Sequence, residues 1–142
     1  MGPIYVLDDE PVIRYVISEA LHDAGYITRD TACGAEVLRW LQEGKVPAAI
    51  VLDLLMPGMS GREFLQRLRE NPAWADTPVV LVTGAVYADD TFPPEDSYQA
   101  LVLKPFDLRE LVCAVRNTLD DACFGRGGGR GVREPSGNSK IS

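Results

Sequence analysis

Five short apolar runs, Ile4–Leu7, Tyr26–Thr28, Ala48–Leu52, Val79–Val82 and Ala100–Leu103, alternate along the chain with longer stretches patterned at helical spacing. That alternation predicts an α/β sheet, because parallel strands cannot be joined by tight turns and need covering crossovers between them. The third and fourth runs are apolar almost without interruption, so both of their faces must be buried. The expectation is a doubly wound, five-stranded parallel sheet with helices on both faces.

The stretches between the runs fit that role. Val12, Ile13, Val16, Ile17, Ala20, Leu21 and Ala24 recur at helical spacing, with Pro11 suited to the first turn and Gly25 to the stop. Ala35, Leu38 and Leu41, with Val37 and Trp40, predict a second helix ending near Gly44, and Phe64, Leu65 and Leu68 a third. A last helix has Asp107 as candidate N-cap, a buried stripe of Leu108, Leu111, Val112, Val115 and Leu119, and an end near Asp121. The connection across residues 84–99 is irregular. It needs a crossover, yet Pro93 and Pro94 cannot lie inside a helix, so this fourth helix is expected to be short, or a single turn starting at the prolines.

Charge divides the chain into two parts. The formal charge is −7, but Arg126, Arg130, Arg133 and Lys140 against Glu134 give residues 125–142 a charge of +3, leaving −10 on residues 1–124. Six of the 13 glycines also fall in that last stretch. Residues 125–142 therefore read as a flexible Gly/Arg-rich tail behind a folded domain in 1–124. So acidic a body repels nucleic acid and anionic membrane. No run approaches the roughly 18 apolar residues of a membrane span, and no secretory segment opens the chain, so a cytoplasmic protein is expected. Cys33, Cys113 and Cys123 have no C-x-x-C spacing and only His22 to join them, which predicts reduced cysteines rather than a metal site.

In an open parallel sheet, functional groups collect where the strands end and the strand order reverses. Those positions hold Asp8, Asp9 and Glu10 after the first strand, Asp53 after the third, Thr83 after the fourth and Lys104-Pro105 after the fifth. Converging carboxylates repel one another unless a cation neutralises them, and a hard cation such as Mg²⁺ suits an oxygen-only site. One carboxylate is then available as a nucleophile toward phosphorus, with a lysine and a hydroxyl to stabilise charged oxygens.

Four motifs stand in order: Val6-Leu7-Asp8-Asp9-Glu10-Pro11, then Val51 to Gly61 (Val-Leu-Asp-Leu-Leu-Met-Pro-Gly-Met-Ser-Gly), then Leu81-Val82-Thr83-Gly84, then Leu103-Lys104-Pro105-Phe106. Steps of 44, 30 and 21 residues separate Asp9, Asp53, Thr83 and Lys104. In these motifs residues 4–120 resemble the response-regulator receiver domains of two-component signalling. The resemblance implies a flavodoxin-like sheet of order 2-1-3-4-5 and phosphorylation of Asp53 by a sensor histidine kinase or phosphotransfer protein. It implies Mg²⁺ bound directly by Asp9 and Asp53, through water by Asp8, and by the backbone carbonyl of Leu55. Lys104 would pair with Asp53 and a phosphoryl oxygen, Thr83 would move to hydrogen-bond the phosphoryl group, and the Lys104–Pro105 bond would be cis.

Two departures from the family pattern matter. The position three residues before the lysine, aromatic in many receivers, is Leu101, and Tyr98 is expected to be a packing or surface residue. Leu55, two residues after the acceptor, is apolar and Gly84 is open, which puts opposite influences on the attack of water.

The alternatives are weaker. A haloacid-dehalogenase-like phosphatase needs an acid two residues after its nucleophile, where Leu55 stands. A non-phosphorylated interaction module has no need of the complete ligand set. Neither G-x-G-x-x-G nor G-x-x-x-x-G-K-[ST] occurs, so nucleotide binding is not expected. The residues after Leu119 are too few for a DNA-binding domain, which leaves a free-standing receiver or one excised from a longer regulator, acting on an unknown downstream protein. Phosphorylation is expected to act through Thr83 and the 84–99 segment on the face offered to that partner.

Overall fold

The computed structural model describes residues 2–56, 58–84 and 92–124, with Cys123 and Phe124 described by their backbone alone. The elements run β1 (Ile4–Leu7), α1 (Pro11–Asp23), β2 (Thr28–Thr31), α2 (Gly34–Gln42), β3 (Ala49–Leu52), α3 (Gly61–Glu70), β4 (Val79–Thr83), β5 (Ala100–Leu103) and α4 (Leu108–Phe124). All strand pairs are parallel and the order is β2-β1-β3-β4-β5, the doubly wound arrangement expected.

Alternation along the strands creates two cores, one on each face of the sheet. Tyr5, Leu7, Ile50, Leu52, Val79 and Leu81 meet Val37, Trp40, Leu41, Phe64, Leu65 and Leu68 from α2 and α3. Ile4, Val6, Val51, Val80, Val82 and Val102 point the other way and meet Ile17, Leu21, Leu111 and Val115 from α1 and α4. Each of these side chains contributes about 1.5–3 kcal/mol by leaving water, so the central strands hold the sheet from both sides.

Three sequence expectations need correction. The second strand lies at Thr28–Thr31, not Tyr26–Thr28. It is an edge strand reading Thr-Arg-Asp-Thr, and with one neighbour and little cover it needs few apolar side chains. Tyr26 instead closes the end of α1, its N–H donating to the Leu21 carbonyl, and Ile27 is exposed. Arg29 of this strand stacks 4.0 Å above the Trp40 ring. Val12, part of the helical pattern of α1, and Leu108, assigned to the buried stripe of α4, are both exposed. In α2 the buried positions are Gly34, Val37, Trp40 and Leu41, while Ala35 is exposed.

The helix ends follow local chemistry. Pro11 opens α1, and Gly25 beyond its end takes a φ of +98°, a conformation that glycine adopts without strain. Ser60 caps α3 by accepting the Glu63 N–H, and the Asp107 carboxylate accepts the Arg109 N–H at 2.8 Å to start α4. The last helix continues past Asp121 to Phe124.

Between β4 and β5 the described residues contain one 3-10 turn, Glu95–Ser97, entered from Pro94. This is the turn starting at the prolines that was one of the two expectations; residues 85–91 lie outside the described residues, as does the tail expected over 125–142. Arg69 of α3 fastens this connection. Its guanidinium donates to the carbonyls of Ala75, Thr77 and Ser97 and to the side-chain oxygen of Gln99. Gln99 in turn accepts the Val79 N–H at 2.7 Å, tying the starts of β4 and β5 together. Tyr98 packs edge-on against Phe92, with ring centroids 6.0 Å apart, and joins Leu101 at the border of the core, so it is a packing residue. Cys33 and Cys113 are free, as expected, and both are exposed; the Cys123 side chain lies outside the described residues.

Candidate functional site

Sheet register assembles the site. Leu7 pairs with Leu52 and Thr83 with Leu103, so the residue after each strand emerges at one edge. Ladder bonds extend one residue further: Asp8 N–H donates to Thr31 O, Asp53 N–H to Leu7 O, and Lys104 N–H to Thr83 O. Asp8, Asp53 and Lys104 thus have their main chains fixed by the neighbouring strand before any side-chain interaction is counted. The Lys104–Pro105 peptide is cis.

Asp8, Asp9 and Asp53 each offer a carboxylate oxygen, and those oxygens lie within 4.8 Å of one another. Asp8 and Asp53 are buried and Asp9 is partly exposed. Lys104 Nζ stands 3.3 Å from Asp8 Oδ2, Asp53 Oδ2 and Glu10 Oε1. Burial pushes the Asp53 carboxyl above the usual carboxylate range; the Leu55 N–H opposes this, the Asp8 charge adds to it and Lys104 works against it. Burial also works against the Lys104 ammonium, but the surrounding carboxylates, Asp53 and Asp8 first, outweigh it and raise the lysine pKa.

The four carboxylates of Asp8, Asp9, Asp53 and Glu10 against the one ammonium of Lys104 leave an excess of negative charge, and every donor atom of the three-aspartate cluster is a hard oxygen. The residues therefore fit a divalent cation of the magnesium type. No transition-metal ligand set of sulfur or imidazole groups is built here, among the described residues.

Each anchoring contact has a local origin. Asp8 Oδ1 accepts the Glu10 N–H at 2.9 Å and Asp53 Oδ1 the Leu55 N–H at 3.1 Å, both two residues on, as short acids do at turns. Leu55 itself is exposed at the rim. Thr83 ends β4 with its side chain buried. Glu10 occupies the N-cap position of α1 but makes no side-chain cap; its carboxylate goes to Lys104 instead.

Two contributors have no role assigned to them from the sequence. Arg14, one turn into α1, donates to the Asp8 carbonyl at 2.8 Å and to Asp30 of β2 at 2.9 Å, bracing the Asp8 main chain from behind. Gly61, at the start of α3, lies so close to the acceptor loop that a Cβ there would stand 2.4 Å from the Asp53 carbonyl oxygen. Position within the Val51–Gly61 motif marks Gly61, but only the packing explains it.

Among the described residues no helix is long and apolar enough to cross a membrane. Residues 4–116 match the family model of the response regulator receiver domain. The response regulator Rre1 of Synechocystis is 36% identical over 118 residues, covering 82% of this chain and 51% of the relative. The phosphate regulon regulatory protein PhoB of Pseudomonas aeruginosa is 32% identical over 117 residues, with coverages of 82% and 51%. The chain thus spans about half the length of these curated relatives. A putative response regulator from Chloroflexus aurantiacus superposes with a TM-score of 0.75 at 28% identity, over 84% of this chain and 98% of that one. TrrA of Thermotoga maritima, crystallised with Mg²⁺ and a beryllium fluoride, gives a TM-score of 0.71 at 31% identity, over 83% and 99%. With its sheet order, its acidic cluster facing a lysine, and these relatives, the chain belongs to the response regulator receiver domain family and is a receiver domain of two-component signalling.

Proposed function

We propose that Asp53 is the phosphoacceptor, taking a phosphoryl group from a phosphohistidine on a sensor histidine kinase or phosphotransfer protein. The observation that carries this reading is the position of Asp53: a buried carboxylate with Lys104 Nζ at 3.3 Å, inside a three-acid cluster. An Asp53 carboxylate oxygen forms the bond to phosphorus while the bond from phosphorus to the donor nitrogen breaks, the electron pair leaving with the imidazole. Asp8, Asp9, Asp53 and the Leu55 carbonyl would hold Mg²⁺, which would supply charge neutralisation at the phosphoryl oxygens. Lys104 holds Asp53 in place and neutralises charge on its side; Thr83 is assigned the hydrogen bond that reads the phosphoryl group and passes its presence to the β4–β5 connection. The output is altered binding of a downstream protein in the cytoplasm, and the only chemistry the domain assists is its own phosphorylation and dephosphorylation.

Incubation with acetyl phosphate and Mg²⁺, followed by intact mass, tests the assignment. One phosphate adduct is expected on the parent protein and none on Asp53→Asn. An unlabelled parent, or a labelled Asp53→Asn, overturns it.

A further inference from the structure

We infer that Glu10 is a positioning residue that competes with the incoming phosphoryl group for Lys104 and so slows phosphorylation. The inference rests on the phosphoacceptor role of Asp53 and deepens it. An ammonium has three N–H donors and no more. At Lys104 three carboxylates, Asp8, Asp53 and Glu10, each stand at 3.3 Å, so all three donors are committed. A phosphoryl oxygen on Asp53 needs one of them.

Exposure decides which partner yields. The side chains of Asp8 and Asp53 are 2% and 4% exposed, and a buried carboxylate deprived of its partner is strongly disfavoured. The Glu10 side chain is 60% exposed. Released from Lys104 it passes to water, and the ion pair it gives up is of the weak, surface kind. Glu10 also loses no other role on release, since it makes no side-chain cap on α1. Its carboxylate is therefore the displaceable third partner, and its removal leaves Lys104 with an N–H free for a phosphoryl oxygen.

The test is the rate of labelling by acetyl phosphate at saturating Mg²⁺, in which an Asp53 oxygen bonds to phosphorus and acetate departs with the electron pair of the broken P–O bond. Glu10→Gln is expected to label about two- to fivefold faster than the parent, the range set by a surface ion pair. In a Lys104→Met background the same substitution is expected to have no effect. An equal acceleration there would mean simple repulsion of the donor, and overturns the inference, as does an unaccelerated Glu10→Gln. A second readout needs neither donor nor metal: acylation of Lys104 by an N-hydroxysuccinimide ester, mapped by peptide mass, is expected to be faster in Glu10→Gln, and an unchanged rate counts against the competition. A labelled parent and unlabelled Asp53→Asn with no Glu10 effect defeats this inference alone; an unlabelled parent defeats the acceptor assignment itself.

Discussion

Replacing Gly61 by alanine sets two physical effects against each other. Helix propensity alone predicts a gain, up to about 1 kcal/mol for Gly→Ala inside a helix and less in a first turn. Packing predicts a loss. The added methyl would stand 2.4 Å from the Asp53 carbonyl oxygen and 2.5 Å from the Leu54 Cα, both main-chain atoms that no rotamer change can move. Reaching ordinary contact requires α3 and the acceptor loop to part by about 1 Å, in the range where overpacking costs about 1–3 kcal/mol. The Gly61 N–H bond to Leu54 O, 3.0 Å long, spans that same gap, and its weakening adds about 1 kcal/mol. The net expectation is a loss of about 2 kcal/mol, a factor of roughly 30 in the folding equilibrium. Urea unfolding followed by fluorescence is a suitable assay, because Trp40 lies in the core on the α2–α3 side and Trp74 packs against it. The displaced atoms include the Asp53 carbonyl, so labelling by acetyl phosphate should slow in the folded variant as well. A Gly61→Ala protein as stable as the parent, or more stable, would show that the helix start can shift without strain and would refute the close-packing argument.

Arg69→Met keeps the aliphatic stem but removes the donors that reach Ala75, Thr77, Ser97 and Gln99. A loss of about 3 kcal/mol in urea unfolding is expected, given the strength of charged hydrogen bonds and the carbonyls left without a donor; a loss below about 1 kcal/mol would show that water replaces the guanidinium. Tyr5 provides a pH-dependent prediction. Its ring is buried, its hydroxyl donates to the Lys45 carbonyl, and burial raises its pKa above the ordinary 10.0 against the opposing charge of Arg29. The folded protein thus holds this proton more tightly than the unfolded chain, so the contribution is complete below pH 10 and is lost as pH rises through the raised folded pKa. Urea midpoints of Tyr5→Phe should fall less steeply than those of the parent above that pH, and parallel profiles would contradict the assignment.

The parts of the fold read correctly from sequence are those where hydrophobic burial decides. β1, β3 and β4 sit between two helical layers, so apolar runs mark them within a residue. β2 escapes that logic: at the edge it is held by pairing to β1, and the apolar Tyr26–Ile27 pair beside it drew the expectation two residues early. Val12 and Leu108 continue the apolar patterns of their helices, yet periodicity carries no information about which of those residues the core reaches. At the site, Asp8, Asp9, Asp53 and Lys104 are legible because each follows a recognisable strand. Arg14, Arg69 and the Lys104 contact of Glu10 are not, since a charged residue on a helix or at its cap looks the same whether its partner is solvent, a distant carbonyl or another side chain.

The ladder bonds that run one residue past β1, β3 and β5 also bear on dynamics. Because the amides of Asp8, Asp53 and Lys104 donate to the last residues of adjacent strands, the site's main chain cannot open without unzipping the sheet beneath it. The Asp53 amide, bonded from β3 to the neighbouring central strand β1, then belongs to the same cooperative unit as the central strands, and its hydrogen exchange should proceed by global unfolding. A signalling event at such a site cannot work by loosening its floor. The movement it sets off has to lie in side chains and in the connections that leave the sheet edge, with the strands themselves acting as a rigid anvil.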